Sequence, residues 1–281
     1  MKVIQENTPR TDANFFLKKL GPSYLVRILA LPFILWVLYL YQYFDIVAFV
    51  HLQIFYGIVV VKRYSRDNYF IQISSFILVL ILGSLLLGHK IQGFDNYPLI
   101  NALVSKDAIP YSLWLNKDSI ILGLSLIIVF YKYRPFERTD LLRMFYVAIF
   151  GIFILISLAF FIGIIKFDFK YFQFFWVWLV LNVLYVFVEE AFFRLFLLES
   201  VIRLYGGKYN IILAVLFVSI IFAVKHQIYG NFSYSLLSFV ASVVYSCAYI
   251  LCGRRLEASV FCHLAVNITH IIFFTYPFLK G

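Results

Sequence analysis

The chain has 281 residues, of which 63% are hydrophobic and only 14% charged. A soluble domain carries roughly 25% charged residues, and long apolar runs read as transmembrane helices, so a soluble globular fold is excluded. The formal charge of +10 would suit nucleic acid. The Lys and Arg fall in short connections between apolar runs, however, which is the pattern of positive-inside topology, so nucleic acid is discounted as a partner and the lipid bilayer takes its place.

Residues 1–23 are polar and basic, with Lys2, Arg10, Lys18 and Lys19, and with Pro9 and Gly21-Pro22 as breakers. The first apolar run starts too late and extends too far for a cleaved signal peptide, so this stretch is expected to be an uncleaved cytoplasmic lead-in. Apolar spans follow at about 24–44, 46–61, 69–88, 113–131, 144–166, 173–193, 209–228, 235–252 and 260–277, where a spanning helix needs roughly 17–25 residues. Uninterrupted runs of this length suit helices; barrel strands would be shorter and alternating. The expected fold is all-α, a polytopic bundle of about eight to nine transmembrane helices. Eight would result if 24–61 formed a helix and a re-entrant segment, because the 46–61 run is short and carries His51 and Gln53.

The basic connections are the lead-in, Lys62-Arg63-Tyr64-Ser65-Arg66, the stretch with Lys132, Arg134, Arg138 and Arg143, the Arg203–Lys208 region, and Arg254-Arg255. All fall on one side of a nine-span chain, which puts the N-terminus in the cytoplasm. The expected location is the cytoplasmic membrane of a bacterium. The long connection 89–118, with Pro98, Pro110 and Trp114, is expected to lie as an interfacial segment on the outer surface. No repeat or Gly/Ser linker divides the chain, so spans 24–172 and 173–281 are read as one integral domain whose second half carries the chemistry. Cys247, Cys252 and Cys262 are odd in number and form no CxxC pair. They read as small apolar fillers, not as a metal or disulfide framework.

A charge at the bilayer centre costs at least ~2.5–3.5 kcal/mol, so polar groups deep in the last four spans require a partner or a cavity. They are Glu189, Glu190 and Arg194, then Lys225 and His226, then His263, Asn267 and His270. Glu190 and Arg194 stand at i,i+4 on one helix face and can pair, which leaves Glu189, one step round, free to face a cavity. Adjacent carboxylates also favour a group that accepts and returns a proton. His263 and Asn267 repeat the i,i+4 spacing, and a histidine with an amide one turn away suits orienting water and holding a developing oxyanion. Phe222 and His226 share that spacing, so the phenyl ring can wall one side of the imidazole. Taken singly, each of these groups equally suits helix packing through an ion pair or interhelical hydrogen bonds. His51, His89 and His270 are read as structural or interfacial. Counting 1.5 Å per residue from Arg203, Lys208 and Arg255 puts Glu189 at ~21 Å, His226 at ~27 Å, His263 at ~12 Å and Asn267 at ~18 Å above the basic end. Bringing them level requires tilt, a broken helix or a deeper end to one span.

Three motifs stand in order, each in a different apolar span: Glu189-Glu190-Ala-Phe-Phe-Arg194, Phe222-Ala-Val-Lys-His226 and His263-Leu-Ala-Val-Asn267. The set resembles the CPBP family of intramembrane proteases, with its pattern E-E-x-x-x-R, F-x-x-x-H and H-x-x-x-N/D. That family includes CAAX prenyl endopeptidases and bacteriocin-processing or self-immunity proteins. The resemblance covers roughly residues 173–270. It implies an intramembrane endopeptidase acting on a membrane-associated protein or peptide. It also implies that Glu189 activates water with help from His226, that His263 and Asn267 hold the oxyanion, and that Glu190 and Arg194 form a structural pair, with Phe222 as a further supporting residue. No cofactor is favoured. The alternatives are a zinc-dependent version with Glu189, His226 and His263 as ligands, and a non-catalytic binding or transport protein using the same groups. There is no H-E-x-x-H to favour the first and no internal repeat to favour the second.

Overall fold

The computed structural model describes residues 22–65, 68–227 and 232–280; residues 1–21, most of the basic lead-in, lie outside them. The described residues form helices α1 (Pro22–Leu40), α2 (Ile46–Tyr64), α3 (Tyr69–Leu87), α4 (Lys117–Phe130), α5 (Arg138–Phe161), α6 (Phe175–Tyr205), α7 (Asn210–His226), α8 (Phe232–Leu251) and α9 (Leu256–Phe273). Six of these, α2, α3, α5, α6, α8 and α9, are long and apolar enough to cross a membrane. The apolar part of α1 and all of α7 are shorter, and α4 has 14 residues. The chain is thus a polytopic membrane bundle. The stretch with His51 and Gln53 is a full helix of 19 residues, not a re-entrant segment. Asp45 caps its start, and Gln53 Nε2 donates to the Pro32 carbonyl of α1.

The connection 89–118 carries a short hairpin that the sequence reading did not anticipate. Here β1 (Tyr97–Ala102) pairs antiparallel with β2 (Tyr111–Leu115). The register slips between Pro98 and Ile100, leaving Leu99 unpaired. Pro98 has no N–H to give a ladder, so a bulge beside it loses little. Ile100 and Leu113 point inward and pack with Trp178, Leu181 and Ile271, which fastens the hairpin onto α6 and α9. A strap of residues 274–280 runs beneath it. Thr275 N and Leu279 N donate to the carbonyls of Lys166 and Ile164 at 3.0 Å, while Ile109 N donates to Phe278 O at 3.2 Å and Lys280 N to Asp107 O at 2.9 Å.

Helix α6 is α-helical to Glu190, π-helical over Ala191–Leu198, and α-helical again from Glu199. Seven residues of the π turn are buried, Arg194 among them. Phe192, Phe193 and Phe196 fill the main core between α6 and helices α2, α3, α4 and α7. The close approach depends on missing side chains. A Cβ on Gly83 would stand 2.6 Å from the Phe192 ring, and one on Gly123 would stand 2.9 Å from the Val188 backbone. Small residues let helix backbones meet in this way inside a membrane.

The apparent mismatch in depth disappears once the helix ends are located. Glu189 lies ~24 Å from the end of α6, and His226 lies ~24 Å from the start of α7 beside it. The α8–α9 turn is set deeper: Arg254 bonds Glu199 at 3.3 Å, about 9 Å up α6. From that level His263 comes to ~21 Å and Asn267 to ~27 Å, on either side of Glu189. Arg255 holds the turn there, donating to the carbonyls of Arg134 and Pro135 and pairing with Asp140 at 2.7 Å.

Because Gly123 faces backbone rather than a flexible side chain, Gly123→Ala should force α4 away from α6 next to Glu189. A loss of about 1–3 kcal/mol, the usual range for overpacking, is expected in thermal unfolding of the detergent-solubilised protein. Wild-type stability would refute the tight contact.

Candidate active site

The polar face of α6 is written at helical spacing. Asn182, Tyr185 and Glu189 stand at i, i+3 and i+7, so all three line one cavity. That cavity has a volume of about 720 Å³ and is also lined by Lys225 and His226 from the end of α7 and by His263 and Asn267 from α9. The hairpin, through Tyr111 and Trp114, and the strap, through Tyr276 and Phe278, form its cover. Space exists here because α7 stops at His226 while α6 runs on for ~21 Å beyond Glu189. Glu189, His226, His263 and Asn267 therefore meet in one hollow, although they come from three helices.

Each imidazole is fixed by a partner on its Nδ1. In His226 that nitrogen lies 2.8 Å from the Phe222 carbonyl. A carbonyl only accepts, so Nδ1 carries the proton and Nε2 is the basic nitrogen. The Phe222 ring stacks on the imidazole with centroids 4.3 Å apart. In His263, Nδ1 donates to Glu190 Oε1 at 2.9 Å, and Tyr245 stacks on the ring at 4.3 Å. Asn267 Nδ2 donates to Asn182 Oδ1 at 3.2 Å, which leaves the second amide hydrogen for another acceptor.

Glu190 and Arg194 pair as expected, with Nε 3.2 Å from Oε2 and neither side chain exposed. That contact is a charge contact without hydrogen-bond alignment: Nε and Oε2 have no hydrogen-bond partner among the described residues. Arg194 gains its hydrogen bonds on α8 instead, from Nη2 to the Ser242 carbonyl at 3.0 Å and to its hydroxyl at 3.3 Å. The rings of Phe193, Phe222 and Tyr245 surround the guanidinium at 5.3–5.8 Å, a cation–π arrangement that offsets part of the burial cost. Glu190 thus does more than neutralise Arg194, since it also orients His263.

One expectation is corrected. Glu189 faces the cavity but is not unpaired, because Lys225 Nζ forms an ion pair with its Oε1. The reason is geometric: α7 runs antiparallel to α6 and ends level with Glu189, so its last turn presents Lys225 as well as His226. His226 and His263 also stand close enough to Glu189 to act on its charge. The role of Lys225 escaped sequence reasoning, as did Asn182 and Tyr185. The i, i+3, i+7 polar stripe on α6 was the available signal for the latter two. Tyr185 ties the site to its cover: its hydroxyl donates to the Trp114 carbonyl and accepts from Asn116 N at 2.9 Å. His270 does not line this cavity but shares a smaller adjoining hollow with His226, His263 and Asn267, its Nε2 3.0 Å from the Thr275 carbonyl, and His51 bonds Val47 O within α2. His89, at the cavity rim, pairs with the buried Asp118 at 2.8 Å. Among the described residues no three His, Cys, Asp or Glu side chains are arranged to hold a metal ion, so Glu189, His226 and His263 are not a ready-made ligand set.

Removing the cation beneath this site should be costly. Arg194→Met leaves the Glu190 carboxylate buried with only the His263 ring against it, and a loss of about 3–5 kcal/mol is expected in thermal unfolding. Ser242→Ala should cost far less, because the carbonyl contact survives.

Residues 171–269 match the sequence model of the family described as type II CAAX prenyl endopeptidase, Rce1-like. The match contains all three motifs and leaves α1–α5 and the hairpin outside it. No curated protein and no solved structure matches the chain.

Proposed function

We infer, from the match of residues 171–269 to the Rce1-like family of type II CAAX prenyl endopeptidases, that the chain hydrolyses a peptide bond in a membrane-associated protein or peptide. Glu189 activates the water. The observation that carries this reading is the shared cavity of Glu189, His226, His263 and Asn267. Glu189 accepts a proton from water as the oxygen attacks the carbonyl carbon, and the basic Nε2 of His226 assists. The oxyanion that forms accepts hydrogen bonds from Asn267 Nδ2 and from His263. Because Glu190 takes the Nδ1 hydrogen of His263, Nε2 offers an N–H only when the ring is an imidazolium, and Glu190 balances that charge. Collapse of the intermediate breaks the C–N bond, and the proton taken from water passes to the departing amine. Preorganised donors in a water-poor site are typically worth ~10²–10³ in rate each. Lys225 neutralises Glu189 in apolar surroundings and stands ready to release it when a substrate carbonyl enters.

The family's description points to prenylated C-terminal tails as the substrate class, and a farnesylated CAAX peptide is the first probe. The N-terminus, by the positive-inside rule, lies in the cytoplasm. A metal-free reaction is favoured because the sequence has no H-E-x-x-H and each helix offers a single histidine to the site, so cleavage should survive a chelator.

Glu189→Gln should lower cleavage by about 10²–10⁴-fold, the usual share of a general base, with unchanged insertion and folding. Comparing membrane proteomes of cells with wild type and Glu189→Gln should reveal uncleaved precursors; full activity in the variant would overturn the assignment. Activity should also be bell-shaped in pH. Its acid limb reports protonation of the essential base and its alkaline limb loss of the proton from the essential acid. A flat profile through the histidine range would remove these roles.

A further inference from the structure

At the basic end of the bundle, some distance from the cavity above, a second hollow of about 410 Å³ opens between α2, α3 and α6. Lys62, Arg63, Gln72, Glu199, Ser200 and Arg203 line it. Basic residues at helix ends normally extend into water, but these do not all behave that way. Lys62 is only 5% exposed and Arg63 only 9%. Lys62 Nζ donates to the Gln72 carbonyl and to Gln72 Oε1, both at 2.9 Å. Gln72 Nε2 returns the bond to the Lys62 carbonyl at 2.9 Å, which fixes the ammonium in place. An ammonium has three donors, so one remains after both acceptors of Gln72 are used.

The charges do not balance. Among the described residues neither Lys62 nor Arg63 forms an ion pair. Among the described residues Glu199 is the one acid lining the hollow, and it is already shared by Arg203 at 3.6 Å, Arg254 at 3.3 Å and the Tyr249 hydroxyl at 3.3 Å. Buried cations without a counter-charge are costly, and an anion entering the hollow removes that cost. A guanidinium fork beside a point-charge ammonium suits phosphate oxygens. The height of the hollow adds to the argument, because basic pockets between transmembrane helices at the headgroup level take lipid head groups.

We propose that this hollow binds the phosphate of an anionic lipid head group, held by Lys62, Arg63 and Arg203. The site is independent of the peptidase chemistry. It lies on the same continuous helix as Glu189, so a bound lipid braces α6 from its far end.

The test uses the purified full chain in neutral detergent and follows its thermal unfolding midpoint against added phosphatidylglycerol, phosphatidylcholine or inorganic phosphate at matched ionic strength. Phosphatidylglycerol should raise the midpoint saturably, as a ligand of the folded state does, and phosphatidylcholine should not. The Lys62→Gln/Arg63→Gln double variant should lose the shift, while Lys132→Gln/Arg138→Gln, exposed at the same end, should keep it. Arg203→Gln alters an exposed side chain and keeps the test open if the double variant does not fold; about tenfold weaker apparent binding is expected for it. An equal shift with phosphatidylcholine, or an unchanged shift in the pocket variants, would overturn the proposal. An equal shift with inorganic phosphate would keep the phosphate site and overturn its assignment to lipid.

Discussion

The site depends on one buried guanidinium. Arg194 leaves the π turn of α6, donates hydrogen bonds to Ser242 on α8, lies against Phe222 of α7, and pairs with Glu190, which in turn holds His263 of α9. Four helices are thereby registered against each other by a single side chain. With net stabilities of about 5–15 kcal/mol, a contact whose rupture costs several is a large share of what holds a domain together. The same arrangement explains why a second carboxylate can stand beside the first. Glu190 is committed inward, to Arg194 and His263, and the 100° step to Glu189 turns that one toward the cavity and Lys225.

Much of this was legible in the sequence, because bilayer-depth charges are rare enough to be informative. The nine apolar runs correspond to the nine helices of the described residues, with most ends shifted by a few residues and α6 running 12 residues past its run, to Tyr205. The three ordered motifs picked out the residues that share the cavity. What stayed hidden depended on tertiary geometry. The i,i+4 rule predicts that Glu190 meets Arg194, but nothing in one helix says that His263, far along the chain, will approach the other face of the same carboxylate. Lys225 looked like part of a positive helix end and became the partner of Glu189 because α7 ends at that level.

The hairpin was missed for a different reason. Its residues, Tyr97–Ala102 and Tyr111–Leu115, are mixed in polarity and broken by Pro98, so period alone did not separate strand from interfacial coil. The pairing is stabilised by a core that it shares with Trp178 and Ile271, and those residues belong to spans that the sequence assigns to the membrane. The depth estimates failed similarly. Arg255 looks like a boundary residue, yet it is buried against Asp140 and two carbonyls, and the turn it marks is level with Glu199, short of the end of α6.

The shortness of α7 has a consequence for the lipid around it. Seventeen residues reach only ~26 Å, whereas the hydrocarbon layer is ~30 Å thick. The outward face of this helix, with Ile212, Leu216, Ile220 and Val224, is exposed, so acyl chains against it must thin to match. A helix this short favours a dent in the bilayer beside His226. That dent draws the polar head-group layer, and the water it carries, toward the mouth of an otherwise apolar hollow. It also shortens the distance over which a polar peptide backbone must travel through oil.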